Sequence, residues 1–474
     1  MPARCAAALA LLTGAAAAGP ALSWFSASDT HLGHDSGKGE NFTTSYTKNT
    51  WAINEMNSIP SSGAQWPASL GGGPVLEPAG VTVSGDLIDG GVNPESSYDG
   101  CAQWANFTAL YGLNGTDGLL KYRAYEGRGN HVSRPYACRP RHSLYTPRTL
   151  AHCPPPRRTA QRARGPPSFL QDGKNSSLAP PRGCEHSPSG WIIERNKARL
   201  ADPAFAVTGM SSPTGLHYSW TWNVSSQCAI HFVHLNLFPG RECGSASNPA
   251  GEGGPPGFPC NDGDLAWAEN SLGFLEDDLA AHGGPGVMTV TIQHYGVRVG
   301  RRPAKSPSLP SSSPPRPLLW LRPPPCSLMD SAMGGTMQVR VCLPDLSLCF
   351  PRAVLTLPHP PCTPADQREE LIATLNKYNP LLVLVGHTHS AEMYSYNGTA
   401  QGQWAQGRAG FVDVVNAPAT QKEDGKGNPL PSEFMALEAA MDSPTASTGT
   451  LRVAQRVGSA WGSILGKKTF DCRA

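Results

Sequence analysis

The chain has 474 residues, 39% of them hydrophobic and 16% charged, with 38 Lys and Arg against 36 Asp and Glu. That length builds one large or two ordinary cores without relying on disulfides. A formal net charge of +2 excludes a nucleic-acid binder that works by bulk positive charge and a strongly acidic disordered chain, provided the charge is evenly spread.

Residues 1–21 open with Arg4 and an apolar run from Cys5 to Ala18, then exit through Gly19-Pro20-Ala21, the layout of a secretory signal peptide. The run is too short to cross a hydrocarbon core of about 30 Å, and no later stretch reaches about 18 apolar residues. A secreted or lumenal protein with no transmembrane segment is therefore expected. Sequons at Asn41, Asn106, Asn114, Asn175, Asn223 and Asn397 fit a glycoprotein on that route.

From residue 22 to 474 the pattern is that of a single α/β domain. A strand at 22–27 precedes a helix at 51–59; a strand at 80–84 precedes a helix at 98–111; a strand at 121–126 precedes a helix at 191–200. Strands follow at 216–222 and 229–237. A helix at 264–282 carries Leu265, Leu272, Leu275 and Leu279 as a core-facing stripe. A strand at 287–293, a helix at 368–378 and strands at 381–385 and 411–416 come next, and residues 417–474 form C-terminal strands or an extension.

Two stretches break this pattern. Residues 132–171 and 297–367 together hold 23 of the 46 prolines, 16 of the 38 basic residues and 3 of the 36 acidic ones. Such proline runs do not form helices or central strands. Two readings fit: disordered Pro-rich surface insertions, or translated introns. The second rests on the first and last residues. Every Val codon begins GT and one Gln codon is CAG, so each segment can carry intron-bounding dinucleotides in frame. Neither has the interleaved aromatics of a single-strand binder, and no nucleic-acid partner is expected. Without them the chain has 22 basic and 33 acidic residues, so the near-neutral total hides an acidic core. The cysteines outside the leader and the two stretches are Cys101, Cys184, Cys228, Cys243, Cys260 and Cys472, an even set able to form up to three disulfides.

Five strand ends carry the chemistry. The first ends in Asp29-Thr30-His31, where residues two apart on an extended chain project to one side and can converge on one ion. The others end in Gly85-Asp86-Leu87-Ile88-Asp89, Gly129-Asn130-His131, His294, and Gly386-His387-Thr388-His389. The glycines allow sharp turns and close backbone approach where each strand exits. A nitrogen and oxygen donor set without thiolate suits Zn, Mn, Fe, Co or Ni.

This order of motifs resembles the calcineurin-like metallophosphoesterase superfamily over roughly residues 24–416, apart from the two insertions. The resemblance implies a four-layer α/β/β/α sandwich of two mixed β-sheets and a two-metal centre. In it Asp29, His31 and His389 hold one divalent or transition ion, Asn130, His294 and His387 the other, and Asp86 bridges them. A metal-bridging hydroxide then hydrolyses a phosphomonoester or phosphodiester. His131 is implied as general acid or transition-state stabiliser, and Asp89 as a residue orienting the ligands. A Tyr ligand three residues after the bridging Asp would mark an iron-tyrosinate purple site; Asp89 stands there and argues against one.

The chain departs from the family after Gly-Asn-His. A carboxylate commonly follows, but Val132 sits there, and Asp172, at the far edge of the first insertion, is the residue expected to fill that role. The substrate is a phosphate-ester small molecule or lipid. Readings that compete with a general phosphatase are a phosphodiesterase of sphingomyelinase-like or cyclic-nucleotide type, and a secreted binding protein that keeps the fold without turnover. His34 and His217 read as surface or packing residues, and His231 and His234 lie on opposite strand faces. The run Leu216 to Trp222 reads as a strand packing aromatics; Trp191 and Arg195 are further candidates to reach the cleft, on no specific signal.

If the two stretches are introns, transcript sequencing will find mature messages that skip them, and the shortened chain will bind metal better than the 474-residue chain. Abundant mature reads crossing both stretches contradict that reading.

Overall fold

The structure is a computed structural model of the 474-residue chain, and it describes residues 19–33, 43–89, 100–129, 188–210, 215–235, 240, 270–297, 337–339, 353–355, 365–405, 409–420 and 431–473. The first insertion, residues 132–171, lies outside them, as do residues 1–18 of the expected leader.

In chain order the first half contains β1 (Ala21–Ala27), α1 (Thr43–Ser58), β2 (Pro78–Val83), α2 (Gly100–Tyr111), β3 (Ala124–Glu126) and α3 (Pro188–Ala201). Then come β4 (Val207–Met210), β5 (Tyr218–Asn223), β6 (Ala229–His234), α4 (Ser271–His282) and β7 (Val287–Ile292). A short antiparallel pair, β8 (Met337–Val339) and β9 (Ala353–Leu355), precedes α5 (Ala365–Leu375) and β10 (Pro380–Val385). The chain ends with β11 (Glu392–Tyr396), β12 (Gln401–Gly402), β13 (Val412–Asn416), β14 (Glu433–Met441), β15 (Thr448–Val457) and β16 (Ala460–Asp471).

These strands form two large mixed sheets, of order β16-β15-β14-β1-β2-β3 and β12-β11-β13-β10-β7-β6-β5-β4. Within the first, β1, β2 and β3 run parallel; within the second, β6, β7, β10 and β13 do. Side-chain alternation stacks the layers. On β1, Leu22 and Trp24 join a cluster with Trp220, Phe232, Val290 and Leu384 of the other sheet, while Phe25 and Ala27 face a second cluster with Ile53, Met56 and Phe107 of α1 and α2. On β10, Leu382 and Leu384 point to the shared interior, and Val383 and Val385 to a third cluster with Leu275 and Leu279 of α4 and Leu371 and Leu375 of α5. The result is an α/β sandwich of two mixed sheets packed face to face, with helices on both outer faces. Aromatic rings weld the sheets: Trp24 meets Phe232 edge-on at 5.5 Å, and Tyr125 stacks on Trp220 at 4.2 Å.

Several boundaries differ from expectation for identifiable reasons. Helix α1 begins at Thr43 rather than residue 51; its first turns are rich in Thr, Ser and Asn, poor helix formers in isolation, and tertiary hydrogen bonds hold them. Helix α4 begins at Ser271, where the Asn270 side chain caps it by accepting from Gly273 N at 2.9 Å; Leu265 lies outside the described residues. Helix α5 begins at Ala365, inside the expected second insertion, and Val297, its first residue, is buried in the third cluster. The strand at 216–222 is β5, which contributes Tyr218 and Trp220 to the shared interior.

A disulfide joins Cys228, at the turn before β6, to Cys472 after β16, with Cα atoms 5.6 Å apart and 244 residues between them. It staples the C-terminus of one sheet to the other. Among the described residues no helix is long and apolar enough to cross a membrane. Replacing both cysteines by Ser should cost roughly 3 to 5 kcal/mol, since the bridge closes so long a loop. Urea unfolding with the oxidised protein as reference reads this directly, and an unchanged midpoint would contradict a stabilising bridge.

Candidate metal centre

The parallel strands of both sheets deliver their C-terminal ends to one place. Beyond β1 and β2 the two chain exits pair as a short ladder: Asp29 N donates to Gly85 O at 3.0 Å, His31 N to Asp86 O at 2.9 Å and Leu32 N to Leu87 O at 3.2 Å. From the other sheet, Gly386 N donates to His294 O at 2.9 Å, tying the exits of β7 and β10 together. The two exits then meet through Asp29, whose Oδ2 accepts from His387 N at 2.9 Å and from Ser28 Oγ.

Glycine makes that meeting sterically possible. A side chain at Gly386 would strike Ser28 and Asp29, and one at Gly129 would strike Asp86. At Gly85, φ is +122° and the His294 ring occupies the space a Cβ would need. The backbone around the ligands is strained as well. Asp29, His31, Asp86, His387 and His389 all have left-handed φ between 38° and 69°, and they are five of the eight such non-glycine residues among those described. Each costs on the order of 1 to 3 kcal/mol, a strain that persists where surrounding contacts impose it and that clusters at functional sites.

Two groups of donors result. Asp29, His31 and His389 form one, and Asp86, His294 and His387 the other. In the first, His31 Nε2 lies 3.0 Å from His389 Nε2, and Asp29 Oδ1 is 3.2 Å from His389 Nε2 and 3.6 Å from His31 Nε2. In the second, Asp86 Oδ2 is 3.1 Å from His294 Nε2, and the same oxygen is 3.7 Å from His31 Nε2, so Asp86 stands between the groups. Donors bonded to a common ion at about 2.1 Å sit about 3.0 to 3.4 Å apart in octahedral or tetrahedral geometry, the range of the His31–His389, Asp29–His389 and Asp86–His294 spacings. His387 Nδ1, buried with no hydrogen-bond partner among the described residues, is available to such an ion.

The imidazoles are held from behind, as metal ligands usually are. His31 Nδ1 lies 3.2 Å from Asp89 Oδ1, and His294 Nδ1 lies 3.0 Å from Ser84 O. The Tyr295 ring packs against His387 at 4.4 Å.

The electrostatics favour a cation. Burial pushes the Asp29 carboxyl up, but His389 and His31 beside it outweigh that and hold it well below the usual carboxylate range. Burial pushes His31 and His294 down, yet Asp29 and Asp89 around the first and Asp86 beside the second raise both above the ordinary histidine value. His387, desolvated and facing His294, is pushed down to about 3 and so is neutral, the form in which an imidazole could bind a metal.

Asn130, His131 and Asp172 lie outside the described residues, as does His34. Other candidates stand apart from the cluster. His217 is buried against Phe274, His231 Nε2 lies 2.7 Å from Asp278 Oδ2, and His234 stacks on Tyr218. Trp191 stacks on Trp104 at 5.3 Å. Arg195 does not reach the cleft: with Arg199 it pairs with Glu126, the last residue of β3, three residues before Gly129. That buried clamp, which sequence reading missed because its partners lie 69 residues and more apart, anchors the strand leading to Gly-Asn-His. Also missed were Ser45 and Asn49 of α1, Tyr111 and Thr420; their only signal is a polar pair four residues apart on a helix.

No protein-family model matches this chain, and no curated protein matches it.

Burial pushes the Glu126 carboxyl up, but Arg195 and Arg199 outweigh it and hold the group at about 2, below its ordinary 4.5. A depressed folded-state value stabilises the fold above the unfolded value and loses that contribution as pH falls toward the folded one, here on the order of 3 kcal/mol between about pH 5 and 2. Glu126→Gln should be less stable at pH 7 and show a flatter fall in stability below pH 5. Parallel pH profiles for the two proteins would rule out the clamp as an ionised pair.

Proposed function

We propose that this chain is a metal-dependent hydrolase of phosphoric esters. The observation that carries the reading is the convergence of two carboxylate and imidazole groups, with Asp86 of one 3.7 Å from His31 of the other, at the ends of parallel strands from two different sheets. The order in which the motifs occur along the chain supports it, through the resemblance to calcineurin-like metallophosphoesterases.

Asp29, His31 and His389 would hold one ion, and Asp86, His294 and His387, joined by Asn130, the other. Bound there, a pair of divalent ions lowers the pKa of a water and neutralises phosphoryl oxygens in an in-line displacement. The protein's own residues set the geometry. Asp89 fixes the ring and tautomer of His31, and the Ser84 carbonyl does so for His294. Asp29 keeps Oδ1 toward the cluster because Ser28 and His387 N engage Oδ2. In sequence His131 comes two residues after Gly129, which lies against Asp86, and we assign it delivery of a proton to the leaving-group oxygen, a role worth about 10² to 10⁴ in rate. A secreted setting and a lipid or small-molecule ester remain part of this proposal.

Purified protein should hydrolyse p-nitrophenyl phosphate or its bis ester with Zn²⁺ or Mn²⁺, lose activity to a chelator and regain it on metal addition. Preference for the bis ester selects the phosphodiesterase reading. His131→Ala should lower kcat about 10² to 10⁴-fold with metal content kept. A chain that holds two ions yet turns over neither ester favours the binding protein instead.

A further inference from the structure

The strained Asp29-Thr30-His31 turn is held partly by other members of the cluster, through Asp86 O and His387 N, and partly by residues outside it. Asn49 lies on the inward face of α1 with Ala52, Ile53 and Met56, and is fully buried. A side-chain amide offers two donations and two acceptances. Here Nδ2 donates to Thr30 O and to Ser45 O, each at 2.8 Å, and Oδ1 accepts from Tyr111 Oη at 2.7 Å and Thr420 Oγ1 at 2.8 Å. All four positions are used.

The bond to Thr30 O matters most. Thr30 C=O and His31 N–H belong to one planar peptide unit. Asn49 holds its oxygen, and Asp86 O accepts from its nitrogen at 2.9 Å. That unit lies between two left-handed residues, Asp29 at φ 50° and His31 at φ 38°. Ser45, one turn earlier on α1, accepts from Gly33 N through Oγ at 3.0 Å. Thr420 N donates to Ser28 O at 3.2 Å, and Thr30 Oγ1 donates to Leu87 O at 2.7 Å. The turn is therefore gripped before, within and after its two ligand residues, and Asn49 is the point at which α1, α2 and the segment after β13 join that grip.

We infer that Asn49, assisted by Ser45, is a positioning residue that presets Asp29 and His31 for the ion they would share with His389. The inference rests on the two-metal reading. Asn49→Asp is nearly isosteric but replaces the amide donor with an acceptor facing Thr30 O and Ser45 O. Tyr111→Phe is the control, since it removes a bond on the opposite side of the amide and keeps both donations.

Zn²⁺ affinity by equilibrium dialysis and the visible absorption of bound Co²⁺ read the metal, and thermal unfolding of the metal-free proteins reads the fold. Asn49→Asp should weaken one of two ions about 10- to 100-fold, as loss of an outer partner does, and change the Co²⁺ band. It should add no further loss in a His389→Ala background, because both act on the same ion. Tyr111→Phe should lower the unfolding temperature and leave metal affinity and spectrum unchanged. Ser45→Ala, a smaller change on the same face, should weaken the same ion and serves as the test if Asn49→Asp does not fold. Wild-type protein with two ions and an unaltered Asn49→Asp variant overturns the positioning role alone; so does Tyr111→Phe losing metal as much as Asn49→Asp. Wild-type protein that takes up neither metal overturns the two-metal reading and this inference with it.

Discussion

Asp29 and Asp86 are both fully buried, and they come from neighbouring strands whose exits are hydrogen-bonded to each other. Buried carboxylates in close company are tolerated only with compensating positive charge. These same carboxylates raise the affinity of His31 and His294 for protons. A divalent cation would supply more charge than a proton at the same point and would satisfy the imidazole nitrogens at once. Two further imidazoles, His387 and His389, converge on the same carboxylates, and Asp89, Ser84 O and the Ser28 hydroxyl hold His31, His294 and Asp29 from behind.

The fold meets that demand by geometry that is unfavourable locally. Five of the candidate ligand residues adopt left-handed backbone, and glycines at 85, 129 and 386 remove side chains that would collide with members of the cluster or their supports. The strain is sustained by residues outside the two donor groups. The Glu126 clamp secures β3, the Asn49 hub secures the exit of β1, and the large shared interior between the sheets gives the cooperative stability to keep both in place. The Cys228–Cys472 bridge adds a covalent tie between sheets at the opposite end of the chain's path.

Much of this was legible in the sequence because strand ends with ligand residues carry local signatures. Asp29-Thr30-His31 and Gly386-His387-Thr388-His389 are short patterns of Gly, Asp and His that need no long-range knowledge. The strands behind them are apolar runs such as Leu381 to Val385. Supporting residues leave no such mark. Asn49 sits in a Thr- and Ser-rich stretch that reads as a poor helix, and only its tertiary bonds explain why α1 extends back to Thr43. Arg195 reads from the sequence as a candidate to reach the cleft and Arg199 carries no signal at all, since their partner Glu126 is brought to them only by the fold. The C-terminal strands β14 to β16 were anticipated only as a region. The central place of β14, beside β1, is a non-local pairing that alternation alone cannot assign.

The central claim is that two ions share Asp86. The direct measurement is a crystal structure of the protein grown with Zn²⁺, with anomalous difference density recorded at the zinc edge. Two peaks about 3.5 to 4 Å apart, with Asp86 between them and His31 and His294 on opposite sides, are predicted. A single peak, or none at Asp86, would contradict the account.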